Sequence, residues 1–285
     1  MTTSRAQKLR ELMDRKKLVI AAGAHNALSA KLVQRNAFDA VWASGFEIST
    51  TYGLPDASIL TMSELLEAAR AMADAVSLPV IADCDSGFGE ALNVAHMVRR
   101  YEAAGVAAVC IEDKQFPKVN SFIPDGQRLA PIDEFAGKIR TAKRTQQSAD
   151  FMVVARVEAF IAGYGLDEAL KRATAYADAG ADAILIHSKA KTPDEVFSFA
   201  RAWGRRIPVV IVPTTYFGIT WADVEGEGIQ VVIHANHGLR AAVRAMNDTL
   251  ASIQTAGSTR GVEGAIAPMS DLFELQGLTV GGPQS

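Results

Sequence analysis

The chain has 285 residues, 49% of them hydrophobic and 21% charged, which excludes a disordered or fibrous protein and supplies apolar material for a large core. Lys and Arg total 29 against 32 Asp and Glu, and a net charge of −3 leaves no basic footprint for nucleic acid. The N-terminus is charged without a signal core, and no apolar stretch approaches the roughly 18 residues of a membrane helix. The expectation is a cytoplasmic protein with no membrane or nucleic-acid partner. Its two cysteines, Cys84 and Cys110, lie in or beside apolar runs, as reduced buried thiols do.

Short β-branched runs recur along the chain at Leu18–Ala22, Ala40–Ala43, Leu78–Ala82, Val106–Ile111, Met152–Ala155, Ala183–Ile186, Pro208–Val212 and Gln230–Ile233. They are almost continuously apolar, as strands buried on both faces are. Amphipathic stretches separate them, including Ser63–Ala75, Val94–Ala104, Ile132–Lys143, Leu166–Ala179 and Pro193–Trp203. Strands alternating with helices pair in parallel through right-handed crossovers, and eight such units close into a (β/α)8 barrel of the TIM type. A doubly wound sheet is the rival, but Gly23-Ala24-His25-Asn26 after the first strand is not a dinucleotide fingerprint. These units account for a barrel domain over 1–257. The helical pattern Leu239–Ile253 ends that domain, and a short apolar segment at Ser270–Leu278 follows within an arm, 258–285, that packs on its own barrel or on a neighbouring subunit.

Barrel active sites form from the loops after strand C-terminal ends. Two of these loops are long, Ser44–Thr61 and Glu112–Pro131, and the second reads as a movable lid. Asp83 and Asp85 end the third strand, one residue apart and so on one face, and Glu112 and Asp113 end the fourth. Oxygen ligands converging on one mouth suit Mg2+, which keeps several waters, whereas zinc would want Cys or His clusters. Arg156 sits inside an apolar strand and needs an anion, which is Glu158 or another carboxylate in the structural case and a substrate phosphate or carboxylate in the functional one. His187 ends the sixth strand. Lys114 and Lys189 lie beyond strand ends, where a Schiff-base lysine is not expected.

Four runs then carry a resemblance: Trp42–Phe46 (WASGF), Asp83–Gly89 (DCDSGFG), Glu112–Ser121 (EDKQFPKVNS) and Ala155–Gly163 (ARVEAFIAG). With AHN at Ala24–Asn26, LIHSK at Leu185–Lys189 and ANH at Ala235–His237, the chain resembles the phosphoenolpyruvate mutase and phosphonopyruvate hydrolase group of the isocitrate lyase superfamily over nearly its whole length. The resemblance implies a (β/α)8 barrel whose last helix is exchanged between the subunits of a homodimer or homotetramer. It implies a small phosphonate or enol phosphate substrate and Mg2+, with Mn2+ as the alternative ion. Asp83 would bind that ion, and Asp56, Asp85 and Glu112 would reach it mainly through water. Trp42 would wall the pocket, Ser44 would lie near the phosphoryl group, and the backbone N–H groups of Gly45 and Phe46 would donate to the C2 oxygen. Arg156, His187, Asn120 and Ser121 would grip the phosphoryl oxygens, and Lys118 would set lid charge and closure.

The lid matches the mutase pattern, with Glu112-Asp113-Lys114 followed by Asn120-Ser121, and it lacks the cysteine that the superfamily's carbon–carbon lyases carry there. Hydrolases of the group usually have Thr where this chain has Asn120, yet the flanking SGFEIST and SKAKTPDEV segments lean toward the hydrolase. Mutase is the primary expectation, hydrolase the alternative and lyase the second alternative. A non-catalytic barrel would have lost one of Asp83, Glu112, Arg156 or Asn120, and all four are present.

Overall fold

Eight parallel strands close on themselves in sequence order in a computed structural model that describes residues 3–278. They are β1 (Val19–Ala24), β2 (Ala40–Ala43), β3 (Val80–Asp83), β4 (Ala108–Glu112), β5 (Met152–Val157), β6 (Ala183–Ile186), β7 (Val209–Ile211) and β8 (Val231–His234). The ring closes where β1 pairs with β8, Val19 standing against Val231. Helix α1 (Arg5–Arg15) precedes β1. Between the strands lie α2 (Ala27–Arg35), α3 (Gly45–Thr51), α4 (Met62–Ala75), α5 (Ala91–Ala103), α6 (Ile132–Thr145), α7 (Leu166–Asp178), α8 (Asp194–Trp203) and α9 (Trp221–Gly226).

Strand alternation sorts the apolar residues into two layers. Val19, Ala21, Trp42, Ile81, Cys110, Met152, Val154, Leu185, Val210 and Ile233 point inward and fill the barrel. Val41, Val109, Ile111, Val153, Ile184 and Ile186 point outward and pack under the helices, with Met72, Met97, Phe135 and Phe199 among their partners. The barrel filling leaves no room for a ligand among its side chains.

One helix lies outside the expected set, and one expected loop contains a helix. The charged N-terminus is a helix, because its Leu9 is buried, with Leu12 and Met13 packed against the inner cluster. Its charges serve the loops entering the strands: Arg5 Nη2 donates to the Val76 carbonyl at 2.8 Å, and Arg10 Nη2 meets Asp182 Oδ1 at 2.8 Å. The helix therefore closes the N-terminal end of the barrel. The segment Ser44–Thr61, expected as a loop, contains α3, started by a Ser44 side chain that accepts from the Glu47 N–H at 3.3 Å. Seven residues, about two turns, are too few to leave a periodic pattern.

The chain divides into two compact units between Asn236 and His237. The second unit holds α10 (His237–Ala256) and α11 (Met269–Gln276). Along α10 only Leu239 is buried, and Val243, Met246 and Leu250 continue its stripe as exposed residues. Helix α11 coincides with the segment expected at Ser270–Leu278. Among the described residues no helix is long and apolar enough to cross a membrane.

Candidate active site

On β2 to β6 the inward-facing column turns from apolar to polar at or just beyond the strand end. Residues continue inward from Ala40 and Trp42 to Ser44, from Ile81 to Asp83, from Cys110 to Glu112, from Val154 to Arg156, and from Leu185 to His187. Glu112 and Arg156 are register partners across β4 and β5, as Arg156 and Leu185 are across β5 and β6. Period-2 geometry thus sets Ser44, Asp83, Glu112, Arg156 and His187 as a polar layer over the apolar barrel filling.

Asp85 does not follow the alternation assumed for it. Strand β3 stops at Asp83, and Asp85 takes a left-handed backbone with φ 49°, its N–H reaching back to Asp83 Oδ1 at 3.3 Å. Gly87 next turns at φ 87°, where a Cβ would stand 2.6 Å from Val94 Cγ2, so only glycine lets this turn pack on α5. A left-handed aspartate at a site rim is held there by its surroundings, in this case by Lys118 and Ser58.

The lid is docked. Its base is a short antiparallel bridge between Lys114 and Leu129, with the Gln115 N–H bonded to the Arg128 carbonyl at 2.9 Å. Its tip reaches the β2 loop: Lys118 Nζ lies 2.7 Å from Asp56 Oδ1 and 3.0 Å from Asp85 Oδ1, and Asn120 Nδ2 donates to Asp56 Oδ2 at 2.8 Å. The Lys118 N–H also bonds to Ser58 Oγ at 3.1 Å. Burial opposes the ammonium charge, but Asp85, Glu112, Asp56 and Asp83 around it outweigh burial and hold Lys118 firmly protonated. Burial alone would raise Asp56, yet Lys118 and Asn120 bring its carboxyl below the usual range. The expected charge role of Lys118 therefore has a geometry, that of a cation inserted among carboxylates.

On the other side of the mouth Arg156 finds carboxylate anions, the structural half of its expectation. Its Nε lies 2.5 Å from Glu158 Oε1 and 3.3 Å from Glu112 Oε2. His187 Nδ1 is 2.7 Å from Glu158 Oε1 and 2.8 Å from Arg156 Nη2. Burial and the Arg156 charge lower the affinity of His187 for a proton, with Glu158 opposing them. Ser121 donates its hydroxyl to Glu158 Oε2 at 2.8 Å and accepts from Lys114 Nζ at 2.7 Å. The lid residue after it, Phe122, sets its ring edge-on to His187 with centroids 6.4 Å apart. Behind this layer Asp113 is buried against Arg172 and Tyr176, at 3.0 and 2.8 Å, and burial pushes its carboxyl up to about 6.

Among the described residues no three His, Cys, Asp or Glu side chains are placed to hold an ion together, and the expectation is of one direct carboxylate, Asp83, with Asp56, Asp85 and Glu112 reaching the ion through water. Lys118 stands between Asp56 and Asp85. The donor set still fits a hydrated hard cation that takes one or two carboxylates directly. Burial pushes the Asp83 carboxyl up to about 7, with Asp85 and Glu112 adding to the effect against Lys118 and Arg156. Glu112 is buried without a hydrogen bond to either carboxylate oxygen, and Arg156 Nε lies 3.3 Å from its Oε2. Such under-satisfied oxygens are what a divalent ion and its waters would complete. At the edge of the layer Gly45 opens α3 so close that a Cβ there would stand 3.3 Å from Asp83 Oδ2.

The sequence offers Lys114 only as a lysine beyond a strand end and Glu158 only as a carboxylate partner for Arg156. Both were accessible to the alternation rule, because Lys114 lies two residues beyond Glu112 and Glu158 two beyond Arg156 on the inward face. Glu47, fully buried against His25 at 3.2 Å with its Oε1 lacking a hydrogen bond, carried no signal beyond its position in α3.

A family model described as phosphoenolpyruvate phosphomutase matches residues 9–254. The chain is 49% identical over 273 residues to a phosphonopyruvate hydrolase of Variovorax sp. (strain Pal2), covering 95% of this chain and 94% of that protein. The crystal structure of a phosphoenolpyruvate phosphomutase from Streptomyces platensis subsp. rosaceus superposes with a TM-score of 0.94 at 56% identity, covering 95% of each chain. A phosphonopyruvate hydrolase in complex with oxalate and Mg2+ superposes with a TM-score of 0.91 at 48% identity, over 96% of this chain and 95% of that one.

Proposed function

The chain belongs to the phosphoenolpyruvate phosphomutase family, and from that premise we propose that it interconverts phosphoenolpyruvate and 3-phosphonopyruvate by Mg2+-dependent phosphoryl transfer. The observation that carries the reading is the docked lid, whose Asn120 and Lys118 seal against Asp56 over the layer formed by Asp83, Glu112, Arg156 and His187.

The two compounds differ in whether phosphorus is bonded to C3 or to the enol oxygen. Breaking the phosphorus–carbon bond leaves a pyruvate enolate and a metaphosphate-like group that must reach the enolate oxygen before water does. Arg156 and His187 hold the phosphoryl oxygens, with Ser44 and Asn120 beside them. The backbone N–H groups of Gly45 and Phe46 donate where negative charge grows on the C2 oxygen. Trp42, buried in the barrel filling, walls the floor. Ser121 acts on this set through Glu158. Asp83 would hold Mg2+, or Mn2+ in its place, with Asp85, Glu112 and Asp56 reaching it through water. The ion supplies Lewis-acid stabilisation of the substrate carboxylate and enolate charge.

A hydrolase that delivers the phosphoryl group to water is the second reading, favoured by the 49% identity to the Variovorax enzyme. A carbon–carbon lyase is third, and the lid supplies no cysteine for its proton handling. Phosphorus NMR of the protein with phosphonopyruvate and Mg2+ decides. A phosphoenolpyruvate signal supports the mutase, inorganic phosphate the hydrolase, and an unchanged substrate overturns both.

The same reading gives a homo-oligomer, dimer or tetramer, built by exchange of the 258–285 arm, of which the part beyond 278 lies outside the described residues. Support comes from the exposed stripe of Val243, Met246 and Leu250 on α10 and from the exposed Ile266, Met269 and Leu278 in the arm. Sedimentation of the full chain and of one ended at residue 257 tests it. Two free, buried cysteines support a cytoplasmic location.

A further inference from the structure

Glu158 is completely buried and stands one residue beyond β5, where three strands and the lid meet. Its Oε1 takes Arg156 Nε at 2.5 Å and His187 Nδ1 at 2.7 Å. Its Oε2 takes the Ser121 hydroxyl at 2.8 Å and Lys114 Nζ at 3.2 Å. Its own N–H donates to Asp113 Oδ1 at 2.9 Å, so the backbone of this residue is fixed as well. Among the described carboxylates at the mouth, Glu158 has two donors on each oxygen, Asp56 has one on each, and Glu112 has a hydrogen bond on neither.

We infer that Glu158 is a positioning residue that sets the tautomer of His187, aims Arg156 and ties the closed lid to both. The inference builds on the proposed function, in which Arg156 and His187 are the phosphoryl-binding pair. The geometry forces a choice, because His187 Nδ1 has one in-plane site and two suitors. Arg156 Nη2, at 2.8 Å, would need a lone pair there, and Glu158 Oε1, at 2.7 Å, needs a proton. Arg156 Nη2 has a second acceptor in Ser121 Oγ at 3.2 Å. Burial works against the Glu158 charge, but Arg156, His187 and Lys114 hold the carboxylate ionised, well below its ordinary range. A lone pair set 2.7 Å from an anionic oxygen is repelled, and an N–H there makes a charge-assisted bond. The proton therefore sits on Nδ1, and Nε2 carries the lone pair of the neutral ring. The lid shares this anchor through Ser121, so closure and the aim of Arg156 and His187 depend on one carboxylate.

The test reads the imidazole directly. Long-range proton–nitrogen NMR of the unliganded protein at pH 8 distinguishes the two tautomers, and the spectrum of a His187→Asn variant identifies His187 among the five histidines. The expected result is an Nδ1–H ring in the unaltered protein and an Nε2–H ring in the Glu158→Gln variant, where the Arg156 charge faces no anion on Glu158. An Nε2–H ring in the unaltered protein overturns the inference, and this measurement does not depend on the variant folding. With phosphonopyruvate, Glu158→Gln is expected to lower kcat by about tenfold or more while KM moves by less than about threefold, because ground-state contacts remain but their aim is lost. Unchanged kcat with an unchanged tautomer also overturns it. Because the spectrum needs no substrate, it decides the role of Glu158 even if phosphonopyruvate is not turned over, and failure of the functional reading is then seen separately.

Discussion

Replacing Asn120 by Thr should redirect the phosphoryl group from the enolate oxygen to water. The Asn120 amide spans from the lid to Asp56, donating to Oδ2 at 2.8 Å, while its Oδ1 accepts from the Phe122 N–H at 3.0 Å and shapes the lid tip. A threonine hydroxyl sits on Cβ, one bond short of that reach. A hydrogen bond to a charged group is worth about 1.5–3 kcal/mol, and about 1.4 kcal/mol is a factor of ten, so the open-lid population should rise roughly 10- to 150-fold. Lys118 keeps its contacts with Asp56 and Asp85, so the lid loosens without being released. Phosphorus NMR of the products from phosphonopyruvate should then show a higher ratio of inorganic phosphate to phosphoenolpyruvate. Trypsin should cut after the buried Lys118 faster by a comparable factor. An unchanged product ratio together with an unchanged cleavage rate would refute the claim that this amide holds the lid against water.

Other outcomes follow from the same contacts. Because the folded Asp83 carboxyl is raised to about 7, its bound proton favours the fold below that pH, and this contribution is lost as pH rises through 7. Mg2+ should therefore raise the melting temperature more at pH 8 than at pH 6, with apparent affinity falling up to about tenfold per pH unit below 7; equal stabilisation at both pH values would contradict the assignment of Asp83. The Lys118→Met substitution removes the resident cation from between Asp56 and Asp85, and calorimetry of the substrate-free protein should find Mg2+ bound severalfold tighter even as turnover falls. Looser Mg2+ binding would mean that the lysine does not compete for the ion's place. Leu9→Ala should cost about 2–5 kcal/mol in denaturant unfolding, as for a buried core leucine, and a loss below about 0.5 kcal/mol would show that α1 is not the closure of the barrel.

The barrel was legible because parallel strands buried on both faces advertise themselves as apolar runs. Ala40–Ala43 and Ala183–Ile186 have the same bounds in sequence and structure, and the other six strands shift by no more than two residues at an end. The charged layer was legible in part, since Asp83, Glu112, Arg156 and His187 are the residues at which those runs stop. Helix α1 was not, because most of its surface is charged and its meaning lies in carbonyls and carboxylates far along the chain, at Val76, Asp150 and Asp182. Asp85 escaped for a related reason: alternation holds only while the backbone is extended, and the left-handed turn is stabilised by Ser58 and Lys118 from other segments. The pairing of Lys114 with Glu158 depends on which strands are neighbours, and no local pattern encodes that.

The way the polar layer and the lid are anchored has a consequence for timescales. Arg156 and Glu112 are register partners on adjacent strands of the closed barrel, so displacing either backbone means breaking the barrel itself. The lid is fastened by side-chain contacts at its tip and a short backbone bridge at its base. Amide hydrogens of 116–127 should exchange through local openings that leave the ladder intact, whereas those of β4 and β5 should wait for global unfolding. Substrate entry and heat resistance are then governed by separate events. Substitutions that strengthen the barrel filling should lengthen the lifetime of the fold without slowing the rhythm at which the mouth opens.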